Sequence, residues 1–240
     1  MIEKEEWKVG SPADLNFYLG KHDIQYNVFN HIWDNPFYKP FTYSEDVIKN
    51  YFRYRVEYGH SIDHGIIGGY LLYDRLVKNY NNAFKEALKS KKATTYESFE
   101  YQNLSWRIEH LSHFAIIADA IIAHNIWRSS GSKETKKLYR DYGLDSLIGN
   151  KEKLKKENNP LVFFLGLFDT IEPIKFFGQP DILKEISISN DDKIIIINFL
   201  SEIERKDAWV NKIKTLSEWL NVNVDVDVKE SESKIEIGIL

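Results

Sequence analysis

The spacing of apolar residues along the chain predicts a mainly helical protein. Apolar positions recur every three to four residues over 44–59 and 61–88, and we expect a helix in the first segment and one helix or a helix pair in the second. Residues 103–128 are apolar on nearly every side between Phe114 and Ile122, which predicts a central buried helix. A further apolar helix is expected over 160–177, with Pro160 in its first turn.

The pattern changes to strand-like alternation after residue 180. Two hairpins, over 186–199 with a turn at 190–192 and over 222–240, flank an amphipathic helix over 201–220, so a ββαββ unit is expected. The remaining segments are polar or rich in turn-forming residues: 1–45 should form short helices and loops, 89–100 a connection, and 129–159 a short helix around Leu138. We therefore predict a helical domain over 1–180, with 1–45 as its N-terminal extension, and a small α+β appendage over 181–240.

Composition limits the chemistry that the chain can carry. It has no cysteine, so a metal site must use imidazole, carboxylate, amide and water ligands. Its formal net charge of −4 argues against a nucleic-acid partner, because phosphate neutralisation needs a clustered basic surface. No apolar run approaches the roughly 20 residues that span a bilayer, and the start of the chain does not resemble a signal peptide. We therefore expect no membrane partner and a cytoplasmic location.

Histidines and a carboxylate lie at positions that invite a functional explanation. His60 and His64 are four residues apart, so both lie on one helix face. His124 and Asp169 each interrupt a long apolar run. A carboxylate in such a setting needs a partner, since an unpaired buried charge costs several kcal/mol. A metal ion held by histidines and a salt bridge to an arginine are the two partners that the sequence leaves open.

Three segments carry a family resemblance. RYRVEYGHSIDHGIIGG, FAIIADAIIAHNIW and PLVFFLGLFDTIEPIK resemble, in order, the three motifs of the HD superfamily of metal-dependent phosphohydrolases, over roughly residues 43–178. The resemblance implies an HD-domain-like helical bundle. The chain departs from the family at Asn125, where the family has an aspartate after its second histidine. A neutral amide is a poorer bridge between two cations, so a single-ion or an inactive site is expected.

The resemblance also implies roles for individual residues. One divalent ion (Mn, Fe, Co, Ni, Mg or Zn) would be held by His64, His124, Asn125 and Asp169. His60 or His110 would handle the leaving-group proton, Glu172 would hold the nucleophilic water or orient a ligand, and Lys175, Lys151 and Lys155 would meet substrate phosphates. Three alternatives stay open: His60 instead of His64 as the ligand, Asp63 as a residue that binds through water or orients a ring, and Glu172 as a simple partner of Lys175.

The expected function is hydrolysis of a phosphate ester. The substrate would be a nucleotide or another small phosphorylated molecule, cleaved as a phosphomonoester or a phosphodiester. The alternative is a degenerate HD domain that binds a nucleotide or a protein partner without turnover, as the neutral Asn125 would favour. The exposed strand edges of the C-terminal unit also make a homodimer through that unit possible.

Overall fold

The computed structural model describes residues 13–28, 45–126, 133–148, 153–191, 193–228 and 233–240, and it is mainly α-helical, as predicted. The chain divides into two compact units: unit 1 contains residues 1–126 and 142–144, and unit 2 contains residues 127–141 and 145–240. The predicted boundary between residues 180 and 181 lies inside unit 2, where the last helices of the predicted helical domain are grouped with the C-terminal sheet. In the described residues, no helix is both long and apolar enough to cross a bilayer.

Unit 1 is built from helices and one small hairpin. Its elements are α1 (Leu15–Lys21), α2 (Glu45–Gly59), α3 (His64–Lys89), β1 (Ser98–Tyr101), β2 (Leu104–Arg107) and α4 (Glu109–Ala123). Of the predicted N-terminal extension, residues 13–28 are described and contain α1; most of the rest lies outside the described residues. The second predicted helical segment forms one continuous helix, α3.

Helices α3 and α4 pack closely through two glycines. A Cβ atom added at Gly69 would lie 2.5 Å from the side chain of Ile122 and 2.6 Å from the carbonyl oxygen of Ala118. One added at Gly65 would lie 2.8 Å from the carbonyl oxygen of Ile121. Any larger residue at either position would push the helices apart. This packing sets the first turn of α3 against the end of α4.

The buried helix predicted over 103–128 is shorter than expected. It begins at Glu109 and ends at Ala123, and residues Leu104–Arg107 form strand β2, antiparallel to β1. Gln102 and Asn103 both have positive φ, at 52° and 61°, which is the backbone of a tight two-residue hairpin turn. The prediction was wrong here because the apolar pattern of the following helix was extended across a turn that neither glycine nor proline marks.

Unit 2 combines short helices with a four-stranded sheet. Its elements are α5 (Lys133–Asp141), α6 (Pro160–Ile171), α7 (Pro173–Phe177), β3 (Ile186–Asp191), β4 (Ile194–Phe199), α8 (Lys206–Lys214), α9 (Leu216–Trp219), β5 (Val222–Val228) and β6 (Ser233–Ile239). The strand order is β3-β4-β6-β5 and every pairing is antiparallel, which confirms both predicted hairpins and the helical segment between them. Asn190 and Asp191, predicted to lie in the first turn, are instead paired in β3 with Ile195 and Ile194.

The single helix predicted over 160–177 is divided at Glu172, whose backbone is extended (ψ 113°) because Pro173 restricts the residue before it.

The core of unit 2 lies on one face of the sheet. This face is apolar, with Ile197 and Ile235 paired across strands and fully buried. Trp209 of α8 is also fully buried, with its ring centroid 5.8 Å from that of Phe199.

Candidate functional site

Two histidine side chains meet in unit 1, where the N-terminus of α3 lies beside the C-terminus of α4. His64 is the first residue of α3, and His124 directly follows α4. Their ring centroids are 5.5 Å apart and their planes are inclined by 66°. The two imidazoles are separated by 60 residues of sequence, so the pairing is a product of tertiary structure. We call His64, His124 and the neighbouring Asp63 and Asn125 the histidine cluster.

The backbone selects the tautomer of His124. Its Nδ1 atom lies 2.6 Å from the carbonyl oxygen of Ile121, one of the last carbonyls of α4, which have no partner within the helix. A carbonyl oxygen can only accept a hydrogen bond, so Nδ1 donates and, in the neutral ring, Nε2 holds the lone pair. Metal-binding histidines adopt this arrangement, in which one ring nitrogen bonds a carbonyl and the other faces the ion. His64 is exposed at the surface beside it.

Asp63 supplies a buried negative charge to the histidine cluster. Its side chain is 1% exposed and caps α3: Oδ1 accepts a hydrogen bond of 2.9 Å from the backbone N–H of Ile66. Its other oxygen, Oδ2, lies 3.8 Å from Nε of Arg55 and accepts a hydrogen bond of 3.4 Å from the side-chain amide of Asn125. The carboxylate is thereby neutralised by an arginine and fixed by three partners.

Asn125 presents a buried acceptor that has no donor. Because its Nδ2 atom donates to Asp63, its Oδ1 atom must face the other way; Oδ1 is buried and has no hydrogen-bond partner in the part of the chain that the structure describes. A Cβ atom added at Gly65 would lie 3.2 Å from Oδ1 and 2.9 Å from Cε1 of His124, so both groups pack closely against this glycine. Leaving such an oxygen unsatisfied costs about 1–3 kcal/mol. A cation or a ligand donor at this place would remove that cost.

The donor set of the histidine cluster is therefore two imidazoles and one amide oxygen. Within the described residues, no three or more histidine and carboxylate side chains are arranged to hold a metal ion. Imidazole suits Mn, Fe, Co, Ni and Zn, and an amide oxygen is acceptable to each of them. The orphaned amide oxygen and the Nε2 lone pair of His124 are the features of this cluster whose chemistry suits a cation.

The structure separates the two histidines proposed to handle a proton. His60 is exposed, follows the last residue of α2, and has φ 47°, in the left-handed region that non-glycine residues seldom adopt. His110 lies in the first turn of α4, where its Nδ1 accepts a hydrogen bond of 3.3 Å from the backbone N–H of Arg107. It is 14 residues before His124, about 21 Å along the helix axis. His110 therefore does not belong to the histidine cluster, and the prediction that it serves the same site as His124 is corrected.

Asp169, in unit 2, has a lysine as a partner. Its side chain is 28% exposed and forms an ion pair with Nζ of Lys175. Glu172 caps α7: its Oε1 accepts a hydrogen bond of 2.9 Å from the N–H of Ile174, and its Oε2 accepts one from the N–H of Lys175. The carboxylate of Glu172 is thus engaged with the backbone, and its predicted link to residue 175 goes to the main chain.

Lys212 joins this charged group and was not foreseen from the sequence. Burial lowers the pKa of Lys212, and the neighbouring ammonium of Lys175 lowers it further, while Asp169 acts in the opposite direction. Of the lysines predicted to meet substrate phosphates, Lys155 is exposed, and Lys151 lies outside the described residues. No sequence pattern singles out Lys212, which is one of several lysines on an amphipathic helix.

Comparison with protein-family models, with curated proteins and with solved structures found no significant match to this chain.

Proposed function

We propose that this chain is a metal-dependent phosphohydrolase of the HD type, acting on a nucleotide or another small phosphate ester. The observation that carries the proposal is the meeting of His64 and His124 beside the orphaned amide oxygen of Asn125. These are the first two motifs of the resemblance described above, brought together by the packing of α3 on α4. The HD-type fold and the nucleotide substrate are part of the proposal.

The residues of the histidine cluster have distinct tasks in this proposal. His64, Nε2 of His124 and Oδ1 of Asn125 would hold one divalent ion within unit 1. Such an ion lowers the pKa of bound water and polarises a phosphoryl oxygen. Asp169 is paired with Lys175 within unit 2, and its role as a ligand stays an expectation of the resemblance.

Asp63 and Arg55 act as positioning residues. A carboxylate only accepts hydrogen bonds, so Asp63 forces the NH₂ group of Asn125 towards itself and leaves Oδ1 facing Gly65. Arg55 balances the charge of Asp63 and donates a hydrogen bond of 3.2 Å to Ser61 in the segment that joins α2 to α3. His60 lies in that same segment and is the candidate for the leaving-group proton, because imidazole exchanges protons near neutral pH.

Metal analysis and a phosphate-release screen test the proposal. Protein purified without chelator should contain close to one divalent ion per chain, and it should release phosphate from a nucleotide or phosphate-ester panel supplemented with Mn, Co or Ni. His124→Gln and His64→Gln should each lower metal affinity and activity by at least about 100-fold, since each removes a ligand. The matched control is His113→Gln, which replaces an exposed histidine of α4 outside the histidine cluster and should change neither metal affinity nor activity.

A binding function without turnover is the second candidate, and the neutral side chain at position 125 favours it. With an amide in place of a carboxylate, the histidine cluster offers less negative charge to hold an ion or to bridge two ions. A thermal shift with a nucleotide but no phosphate release in any supplemented metal would select this function. Absence of both metal and nucleotide binding would reject both candidates.

Homodimerisation through the C-terminal unit also stays a prediction. Strands β3 and β5 are the edges of the four-stranded sheet, and an edge strand has unpaired backbone groups available to a second copy. Sedimentation of the full chain would address it, with a proline introduced at Val224 of β5, whose backbone N–H faces away from β6, as a test of edge pairing.

A further inference from the structure

A cavity of about 520 Å³ lies within unit 2, between helix α6 and the apolar face of the sheet. This volume is in the range of pockets that hold small organic ligands, about 300–1,000 Å³. Its walls are mainly apolar and come from α6 and from strands β3, β4 and β6. The apolar lining residues are Phe164, Phe168, Ile171, Ile188, Ile195 and Ile239.

The cavity leaves large apolar side chains uncovered. Phe168 is 52% exposed and Ile188 is 45% exposed, although their neighbours on the same helix and strand, such as Leu167 and Ile186, are buried. Exposing apolar surface to water is unfavourable, and a cluster of such residues in a concave site is the usual mark of a binding site. A ligand that covers these side chains should therefore be apolar where it contacts them.

Of the two charged residues in the described wall of the cavity, Glu172 and Lys193, only Lys193 has a side chain with no partner among the described residues. Glu172 is part of the wall, but both of its carboxylate oxygens accept hydrogen bonds from the backbone of α7. Lys193, in the β3–β4 turn, also lines the cavity, is exposed, and forms no ion pair with a carboxylate in the described residues. Ser189 and Asn190 add neutral polar groups on β3. A complementary ligand has an apolar body and one negative charge.

We propose that this cavity binds a small amphipathic carboxylate of the fatty-acid type. The apolar chain lies between Phe168 and Ile188, and the carboxylate pairs with the ammonium of Lys193 at the rim. The site does not depend on the proposed phosphohydrolase function. It is unsuited to a nucleotide, because a polyphosphate requires several cationic or backbone donors and this wall offers one lysine.

Calorimetric titration of the full chain with decanoate and with decylamine tests the assignment, because the two probes share a chain and differ in head-group charge. One decanoate should bind per chain, and decylamine should bind at least about tenfold more weakly, as expected when a charge-assisted pair is lost. Lys193→Glu should weaken decanoate by at least about tenfold and improve decylamine. Lys214→Glu makes the same charge change at an exposed position of α8 outside the cavity and should alter neither affinity.

A second variant tests the apolar part of the site separately. Ile188→Trp places a larger side chain in the cavity from an exposed position of an edge strand and should abolish decanoate binding while the circular dichroism spectrum stays that of the wild type. Should this variant fail to fold, the two lysine variants decide. No binding of decanoate, equal affinity for both probes, or equal effects of Lys193→Glu and Lys214→Glu would each overturn the proposal.

Discussion

Replacing Asn125 by aspartate should destabilise the protein strongly, although the resemblance to the HD family would place an aspartate at this position. The change removes the hydrogen bond of 3.4 Å from the Asn125 amide to Asp63 and sets a second carboxylate beside a buried one. Arg55, at 3.8 Å, is the cationic partner of Asp63. The variant therefore forces two like charges to share one arginine.

The size of the effect can be estimated from these distances. A hydrogen bond to a charged group contributes about 1.5–3 kcal/mol, and the lower end applies to one this long. Two unit charges about 4 Å apart repel by about 4 kcal/mol at an effective dielectric constant near 20. The repulsion is limited by protonation, because protonating an ordinary aspartate of pKa about 3.9 costs about 4 kcal/mol at pH 7 and about 1.5 kcal/mol at pH 5. With the arginine offsetting part of the charge, the loss should be about 2–4 kcal/mol at pH 7.

The loss should depend on pH with a definite sign. The new carboxyl keeps its proton in the folded state and releases it on unfolding, so its pKa is raised by folding and the stability of the variant falls as pH rises from about 4 to 7. Urea unfolding of Asn125→Asp and wild type at pH 5 and pH 7 measures the difference. The control Asn103→Asp makes the same change at an exposed hairpin turn, where aspartate tolerates a positive φ, and should cost little.

An exchange of the two side chains completes the experiment. The double variant Asp63→Asn, Asn125→Asp keeps one carboxylate and one amide in contact, and asparagine caps helices as well as aspartate does. Its stability should return to within about 1 kcal/mol of wild type, so the double-mutant cycle should show a favourable coupling of about 1–3 kcal/mol. Equal stability of Asn125→Asp and wild type at pH 7, or a double variant no better than the single one, would refute this account of the cluster.

Three further outcomes are expected from the structure. Gly69→Ala should cost about 1–3 kcal/mol in urea unfolding because its Cβ meets the backbone of α4, whereas Gly68→Ala, whose Cβ has no neighbour closer than 3.9 Å, should be neutral or stabilise by up to about 1 kcal/mol; equal effects would contradict the packing. Burial raises the pKa of Tyr70 and of Tyr73, so stability should be lost as pH rises above about 10, and phenolate absorbance should appear together with loss of helical circular dichroism rather than before it. Asp74→Ala removes a buried carboxylate that accepts two backbone N–H groups of residues 25 and 26; it should cost about 2–3 kcal/mol and speed hydrogen exchange in that segment, and unchanged exchange there would contradict the assignment.

The parts of the site that could be predicted are those that leave a mark in local sequence. His124 was found because it interrupts an apolar run, and His64 because it lies four residues after His60 in a segment that resembles an HD motif. The partner of Asp169 was expected to be a metal or an arginine, and it is a lysine six residues away. That pairing depends on the break between α6 and α7, which folds residue 175 back towards residue 169.

The parts that could not be predicted depend on contacts between distant segments. Asp63 was considered as a residue that binds through water or orients a ring. Its cap to Ile66 is a local contact, but its contacts with Arg55 and Asn125 are set by the packing of α2, α3 and α4. The β1–β2 hairpin escaped prediction because Gln102 and Asn103 adopt left-handed backbones without glycine. The local sequence favours such a turn only weakly, and stacking between side chains of the two strands provides the remaining stabilisation of the hairpin.

The charges of the histidine cluster limit which cations suit the proposed site. Asp63 and Arg55 cancel one another, and Asn125 is neutral, so the cluster offers a cation little net Coulomb attraction and its affinity must come from lone pairs of imidazole nitrogen and amide oxygen. Mg²⁺ prefers oxygen ligands and gives up water reluctantly, so it gains least from such a set, while Mn, Fe, Co, Ni and Zn gain from the two imidazoles. Protons compete for the same nitrogens, and affinity should therefore fall as the pH becomes acidic. A neutral Asn125 is thus compatible with a working single-ion site of transition-metal type, and activity that appears with Mn, Co or Ni but not with Mg would separate that site from a degenerate one.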